Sequence, residues 1–95
     1  MAVTFHIPGP LRQFTSQQSA VEVPTGPDEM LSSVLQSLFN QHPGLRDRVL
    51  TESGELRRHV NVFVGNENVR YTGGLATPVR TGAELSIVPA ISGGS

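Results

Sequence analysis

The amino-acid sequence contains no cysteine and no lysine. The absence of cysteine excludes disulfide bonds, thiolate nucleophiles and zinc sites built on thiolates. All seven basic residues are arginines, although lysine is ordinarily among the commonest residues in proteins. Two explanations of the missing lysine stay open. One is codon bias in a GC-rich genome, and the other is that a protein carrying an activated acyl group gains by offering it no side-chain amine.

The sequence also has no large excess of positive or negative charge and no long apolar run. The formal net charge of −1 argues against a nucleic-acid-binding surface, which needs clustered basic residues. No apolar run approaches the length of a membrane span, and the first residues lack the charged-then-apolar layout of a signal peptide. With 95 residues, 37% of them hydrophobic, we expect one globular domain in the cytoplasm that does not contact a membrane.

Strict alternation of apolar and polar residues predicts the strands. The segments VTFHIPG (3–9) and SAVEVP (19–24) alternate with a period of two and together predict a hairpin. The segment RHVNVFVGN (58–66) is the strongest strand, with three β-branched valines on one face. The segment ELSIVPA (84–90) predicts the last strand. Between these two, NVRY is expected to form a short strand segment, and TGGLATPVRTG a long surface loop.

The segment from Thr25 to Gly44 predicts one amphipathic helix. Six apolar residues fall at helical spacing on one face: Met30, Leu31, Val34, Leu35, Leu38 and Phe39. Thr25 or Asp28 is expected to cap the helix, Asp28 and Glu29 suit its first turn, and Pro43 with Gly44 ends it. The following LRDRVL is expected to add a short helical turn, and TESGEL a loop.

The predicted order of elements is two strands, a helix, a strand, a short strand and a strand. One amphipathic helix must then cover one face of one mixed sheet. This order indicates an α+β fold of the β-grasp, or ubiquitin-like, type, with four to five strands and one main helix. In that arrangement the last strand lies in the middle of the sheet beside the first. We therefore expect a β-grasp domain over residues 1–90 and a flexible C-terminal tail over residues 91–95.

No catalytic grouping is recognisable in the chain. The three histidines, His6, His42 and His59, lie on different predicted elements and have no metal-binding spacing. No serine lies in a G-x-S-x-G elbow. The pair Gly73–Gly74 is better explained by a turn that needs positive φ than by a phosphate-binding loop. The sequence therefore predicts that the protein is not itself an enzyme, binds no metal and has no catalytic residues of its own.

The end of the chain reads ISGGS, and its Gly93–Gly94 pair suits a specific chemistry. A terminal carboxylate becomes an electrophile when it is joined to AMP, and a sulfur nucleophile can then displace the AMP to leave a thiocarboxylate. The activating enzyme has to admit the chain end through a narrow passage, and glycine has no side chain to block it. Five extended residues before the final serine span roughly 17 Å, which is enough to enter a partner's active site.

The segments TFHIPGPLRQFT and RHVNVFVGNENVRYTGGLATPVRTGAELSIVPAISGG resemble the MoaD/ThiS family of ubiquitin-like sulfur carriers, in particular its actinobacterial branch that serves cysteine synthesis. The resemblance extends over nearly the whole chain. It implies that Gly94 carries the carboxylate that is adenylated and converted to a thiocarboxylate, with Gly93 as the penultimate glycine. One departure is Ser95, because the family's chains end at the glycine. Ser95 is removed by a peptidase before activation, is an artefact of how the chain was prepared, or leaves the chain inactive.

The resemblance also implies partners. An E1-like enzyme of the ThiF/MoeB type would activate the tail with Mg-ATP, so the carrier itself binds no cofactor. In the cysteine branch, a PLP-dependent cysteine synthase accepts the sulfur, and a zinc metallopeptidase then frees cysteine from the carrier's end. Related carriers serve other acceptors, and the sequence does not identify the pathway.

The uncovered face of the predicted sheet is expected to be the docking surface. Phe63 and Val88 are its apolar members, and Leu75 and Ile91 extend it towards the tail. Four arginines, Arg57, Arg58, Arg70 and Arg80, are candidates to guide an acidic partner. Three alternatives stay open: a β-grasp interaction module with an inert tail, a modifier conjugated to lysines of other proteins, and the small subunit of molybdopterin synthase.

Overall fold

The computed structural model describes residues 1–89 of the chain. Residues 90–95 lie outside the described residues. The described strands are Ala2–His6 (β1), Ala20–Pro24 (β2), Asp28–Met30 (β3), Val60–Val64 (β4), Glu67–Asn68 (β5), Pro78–Arg80 (β6) and Glu84–Pro89 (β7). The helices are Leu31–Gln41 (α1) and the short Arg46–Val49 (α2). Single turns of 3₁₀ helix occupy Pro43–Leu45, Val69–Tyr71 and Gly74–Ala76, and a longer 3₁₀ segment occupies Gly9–Phe14.

The first hairpin forms as its alternation predicts. Strands β1 and β2 pair antiparallel, with Val3 opposite Val23 and Phe5 opposite Val21. These four side chains are buried. His6, the last residue of β1, is exposed. Because successive side chains of a strand point to opposite faces, the hairpin presents one apolar face to the core and one polar face to solvent.

The last strand lies in the middle of the sheet, as predicted. The five-stranded sheet has the order β2-β1-β7-β4-β5. Strand β7 runs parallel to β1 and antiparallel to β4. Its Leu85 and Ile87 side chains are buried on the face of the sheet that packs against the helix. The ladder bonds on both sides fix β7 in position, unlike the edge strands β2 and β5.

Helix α1 covers one face of the sheet. Its buried side chains share one core with those of the strands, and they are Leu31, Val34, Leu35, Leu38 and Phe39. Each such burial stabilises the fold by roughly 1.5–3 kcal/mol relative to an exposed side chain. The helix ends at Gln41, immediately before His42 and Pro43, as the Pro-Gly signal predicts. Together with the mixed sheet, this arrangement confirms the predicted β-grasp fold with one main helix.

The predicted start of the helix is wrong. Asp28–Met30 forms strand β3, which pairs antiparallel with β6, and the helix begins only at Leu31 with no side-chain cap. Met30 is 51% exposed rather than part of the apolar face. Pairing with β6 satisfies the backbone of these residues, and Leu31 N donates to the Thr77 carbonyl over 2.8 Å. This pairing outweighs a cap, which contributes only about 1 kcal/mol.

Two predictions for the second half of the chain need correction. In NVRY only Asn68 belongs to a strand, because Val69–Tyr71 turns into 3₁₀ helix and buries Val69 in the core. The expected surface loop TGGLATPVRTG contains a 3₁₀ turn and strand β6. The positive φ predicted for the Gly73–Gly74 turn is confirmed, with values of 119° and 58°. These glycines turn the chain back towards α1.

A strained loop offers a test of the backbone conformation. Gln17 has a φ of 67° although it is not a glycine, and such a conformation costs an L-residue roughly 1–2 kcal/mol. We expect Gln17→Gly to raise the free energy of unfolding by about 0.5 kcal/mol, since glycine's larger unfolded-state entropy offsets part of the relief. Gln18→Gly, at a neighbour with ordinary φ, is the matched control and is expected to destabilise the protein. Denaturant unfolding measures both, and a destabilised Gln17→Gly protein would contradict the conformation described here.

Candidate functional site

The sheet has one end from which the predicted tail departs. In the antiparallel pairing of β4 and β7, Val60 lies opposite Pro89. The last described residue therefore leaves the sheet beside the first residue of β4. Because β7 is bonded on both sides in its first half and along β4 to its end, the position of Pro89 is set by the core. Whatever follows Pro89 starts from a fixed point on the domain.

Phe63 and Val88 lie together on the uncovered face of the sheet. Phe63 pairs with Ser86, and Val88 pairs with Asn61, so the two apolar side chains are diagonal neighbours on adjacent strands. Side chains in this relation lie within reach of each other when one is aromatic. Val88 is 43% exposed and Phe63 is half-buried. The structure therefore brings these two predicted site residues together, close to the end of β7.

Paired polar groups flank this apolar pair. Asn61 Oδ1 accepts hydrogen bonds from Asn68 Nδ2 at 3.1 Å and from Arg70 Nη2 at 3.4 Å. On the other side, His6 Nε2 lies 2.7 Å from Glu84 Oε1. An apolar centre within a polar, hydrogen-bonded rim is the usual anatomy of a protein–protein interface. The uncovered face has this anatomy on a small scale.

The remaining predicted site residues lie elsewhere. Leu75 packs against the core beside α1, where it lines a cavity of about 200 Å³ with Leu35 and Phe39. The Gly73–Gly74 turn carries Leu75 to the helix side, so the structure does not bring it to Phe63 and Val88. Contact of Leu75 with a partner stays a prediction.

Four predicted site residues cannot be placed. Ile91, Gly93, Gly94 and Ser95 lie outside the described residues. The predicted boundary between the domain and its tail, at residue 90, also falls there. The contact of Ile91 with a partner, the roles of Gly93 and Gly94 in the tail motif and the removal of Ser95 stay predictions.

Residues 1–89 contain no group of three or more histidine, cysteine, aspartate or glutamate side chains that could hold a metal ion. His6 lies on β1, His42 follows α1 and His59 precedes β4, so the fold separates the three histidines. In the same part of the chain, no helix is both long and apolar enough to cross a membrane.

A cluster of arginines was not predicted as a unit. Arg57, Arg58 and Arg70 line one cavity of about 280 Å³, which we call the arginine pocket. The fourth candidate, Arg80, lies at the opposite end of β7, near Glu84. Arg58 and Arg70 are distant in the chain, and Arg70 reaches the pocket because the turn at Val69–Tyr71 follows the short β5. Such a cluster cannot be predicted from the periodicity of one helix or strand, because its residues come from different elements.

Comparison with solved structures agrees with this geometry. A chain of the Amycolatopsis orientalis BexX/CysO complex superposes with a TM-score of 0.87 at 36% identity, covering 97% of this chain and 99% of that chain. Small archaeal modifier protein 1 of Haloferax volcanii superposes with a TM-score of 0.82 at 26% identity, covering 95% and 98%. The fold, with its central last strand, is that of a ubiquitin-like β-grasp protein.

Sequence comparison identifies the family. Residues 5–94 match the ThiS family. Sulfur carrier protein CysO of Mycobacterium tuberculosis is 38% identical over 96 residues, covering 99% of this chain and 100% of CysO. The chain belongs to the ThiS family and is a homologue of sulfur carrier proteins. Its homologues are carriers and modifiers rather than enzymes.

Substitutions at two neighbouring residues of β7 test which face of the sheet is exposed to solvent. Val88 is 43% exposed and Ile87 is 1% exposed. We expect Val88→Asp to lower the free energy of unfolding by only about 1 kcal/mol, the range of strand propensities. Ile87→Asp buries a charge in the core and is expected to cost more than about 4 kcal/mol. Denaturant unfolding compares the two variants, and similar losses would show that Val88 does not lie on an open face.

Proposed function

We propose that this protein is a sulfur carrier whose Gly94 carboxylate is adenylated and then converted to a thiocarboxylate. The carboxylate oxygen attacks the α-phosphate of ATP, so that an acyl-adenylate forms and pyrophosphate leaves. A sulfur nucleophile supplied by the activating system then attacks the carbonyl carbon and displaces AMP. The resulting thiocarboxylate donates its sulfur to a biosynthetic acceptor. The carrier contributes the reacting carbon and a docking surface, and its partners contribute the catalytic groups.

The observation that carries this proposal is the position of Pro89. The last described residue leaves the central strand next to Val60, at the edge of the face that exposes Val88. A partner bound to that face would have the start of the tail at its own surface. The roughly 17 Å that five extended residues span then allows the end of the chain to enter an active site while the domain stays outside.

The glycines and Ser95 take defined roles in this proposal. Gly93 and Gly94 pass the narrow entrance of the activating site because they have no Cβ. The match to the family ends at Gly94 and leaves Ser95 beyond it. Because the reacting carboxylate in this proposal is that of Gly94, the proposal requires a chain from which Ser95 is absent. The absence of lysine suits such a carrier, since no side-chain amine of its own competes for the activated carbonyl.

The proposed partners follow from the chemistry and from the family. An E1-like ThiF/MoeB-type enzyme would bind Mg-ATP and provide the adenylating active site. A PLP-dependent cysteine synthase is the proposed acceptor, because sulfur carrier protein CysO is among the similar proteins, and a zinc metallopeptidase would release the product from the carrier. These reactions belong to the cytoplasm, where we place the protein.

Similarity to small archaeal modifier proteins supports a second candidate function. Small archaeal modifier protein 3 of Haloferax volcanii is 36% identical over 67 residues. In a modifier the same activated Gly94 carbonyl would be attacked by a lysine amine of another protein, which displaces AMP and forms an isopeptide bond. Adducts of higher mass in cell extract that disappear when Gly94 is deleted would favour the modifier.

Intact mass spectrometry tests the primary proposal. A chain ending at Gly94, incubated with the ThiF/MoeB-type enzyme of its own organism, Mg-ATP and sulfide, should gain the mass difference between one sulfur and one oxygen atom. Chains ending at Gly93 or at Ser95 are matched controls and should not gain it, because the reacting carbon is displaced. A chain ending at Gly94 that never acquires sulfur would refute the proposal.

A second variant tests the docking face. We expect Phe63→Asp to weaken binding to the activating enzyme at least about fivefold, because aromatic residues at interface centres carry much of the binding energy. Met30→Asp places the same charge on an exposed apolar residue away from the Phe63–Val88 pair, at the start of α1, and should bind normally. Calorimetric titration measures both, with circular dichroism to verify folding. Normal binding by a folded Phe63→Asp protein would remove Phe63 from the interface.

A further inference from the structure

The arginine pocket lies at the same end of the sheet as the start of the tail. Arg57 and Arg58 lie three and two residues before Val60, the first residue of β4, and Val60 lies opposite Pro89. A partner that takes the tail therefore has to pass close to these side chains. Val60 and Val62 line the pocket from the helix-covered face of β4, so the pocket opens at the edge of the sheet. Arg70 reaches from this edge to the uncovered face of the Phe63–Val88 pair, where the Asn61 side chain accepts a hydrogen bond from it.

Hydrogen bonds to the backbone hold two of the three arginines in place. Arg70 Nη2 donates to the carbonyl of Arg58 over 2.8 Å, and its backbone N–H is fixed by Asn68 Oδ1 at 2.9 Å. Arg57 Nε donates to the carbonyl of Asp47 over 2.7 Å. A guanidinium has five N–H donors, so most donors of both side chains stay available for a ligand. The side chains are oriented before anything binds.

The pocket arginines form no ion pair in the described part of the chain. The ion pairs found within residues 1–89 join His6 to Glu84 and Arg46 to Asp47. None of the three pocket arginines has a carboxylate within 4.0 Å there, and no acidic residue lines the cavity. Three neighbouring cations without an anion leave a positive potential that attracts and orients a negatively charged group.

The floor of the pocket is apolar. Leu56, Val62 and Val69 contribute to it between the arginines. A hydrated inorganic anion gains nothing from such a floor, whereas an amino-acid side chain with an aliphatic stem and a carboxylate matches both floor and rim. The volume of about 280 Å³ lies at the lower end of the range of about 300–1,000 Å³ for small-ligand sites and is sufficient for one or two protein side chains. The shape and charge therefore favour one or two side chains of a protein.

We propose that the arginine pocket receives an acidic side chain, aspartate or glutamate, from a surface segment of the enzyme that activates the tail. The planar guanidinium fork matches the two oxygens of a carboxylate. This second contact fixes the rotation of the carrier about the Phe63–Val88 pair, so that the start of the tail has one orientation relative to the partner's active site. The inference rests on the proposed function and adds the chemistry by which the partner is recognised.

Single-charge variants test the pocket in the sulfuration reaction. Arg58→Gln is the principal variant, since the Arg58 side chain makes no hydrogen bond or ion pair within residues 1–89. We expect it to raise the KM for the carrier about tenfold with kcat unchanged, because binding rather than chemistry is affected. Arg70→Gln should act similarly, and Arg58→Lys should restore part of the loss. Arg80→Gln makes the same charge change at the far end of β7 and should leave KM unchanged.

Salt and phosphate identify the kind of occupant. The KM of the unaltered carrier should rise with sodium chloride, and that of Arg58→Gln should rise less steeply. Replacing chloride by phosphate at constant ionic strength should make no further difference. A specific phosphate effect would make the pocket a free-anion site and would overturn the proposed occupant.

Three other results would overturn the proposal in distinguishable ways. Unchanged KM values for Arg58→Gln and Arg70→Gln, in a carrier that still acquires sulfur, would remove the pocket but leave the sulfur-carrier function intact. An equal effect of Arg80→Gln would mean that net charge alone matters. An unaltered chain that never acquires sulfur would refute the proposed function, and this inference would fail with it.

Discussion

Strand β7 pairs with two neighbours at once, and the functional geometry depends on that pairing. Thr4, Phe5 and His6 of β1 hold its first half in parallel register, and β4 holds residues 85–89 in antiparallel register. Leu85 and Ile87 anchor the strand in the core. A strand at the sheet edge would fray near the end of a chain, whereas this one carries the last described residue to a defined place.

The same pairing organises the surface around that place. Because side chains alternate along a strand, the register that buries Leu85 and Ile87 also turns Ser86 and Val88 outward, next to Phe63 and Asn61 of β4. Antiparallel pairing then puts the beginning of β4, and the arginines before it, at the end of β7. The apolar pair on the uncovered face, the cationic pocket at the edge of the sheet and the departure point of the tail are thus all set by β4 and β7.

Local patterns were sufficient to predict the parts of the fold that one element determines. The alternation around Val60 and Val62 predicted β4, and the Pro43–Gly44 signal predicted the end of α1. The pairing of β3 with β6 could not be predicted, because two three-residue strands far apart in the chain carry no periodicity. Capping residues near Asp28 then predicted a helix start that tertiary pairing overrides.

The candidate site could be predicted only in part for the same reason. Phe63 and Val88 follow from alternation on two strands that the β-grasp order makes adjacent. The position of Leu75 depends on the Gly73–Gly74 turn, and the arginine pocket depends on a 3₁₀ turn after β5. Both are consequences of tertiary packing, which sequence periodicity does not report.

The central claim is that the partner which takes the tail docks on the uncovered face at the end of β7. The most direct measurement is an NMR titration of the ¹⁵N-labelled chain with the ThiF/MoeB-type enzyme that we propose as its activating partner. The account predicts that the amide signals of Phe63, Val88, Arg58 and Arg70 shift or broaden first, while those along the exposed side of α1 stay unchanged. Perturbations centred on α1, with the β4 and β7 signals unaffected, would contradict it.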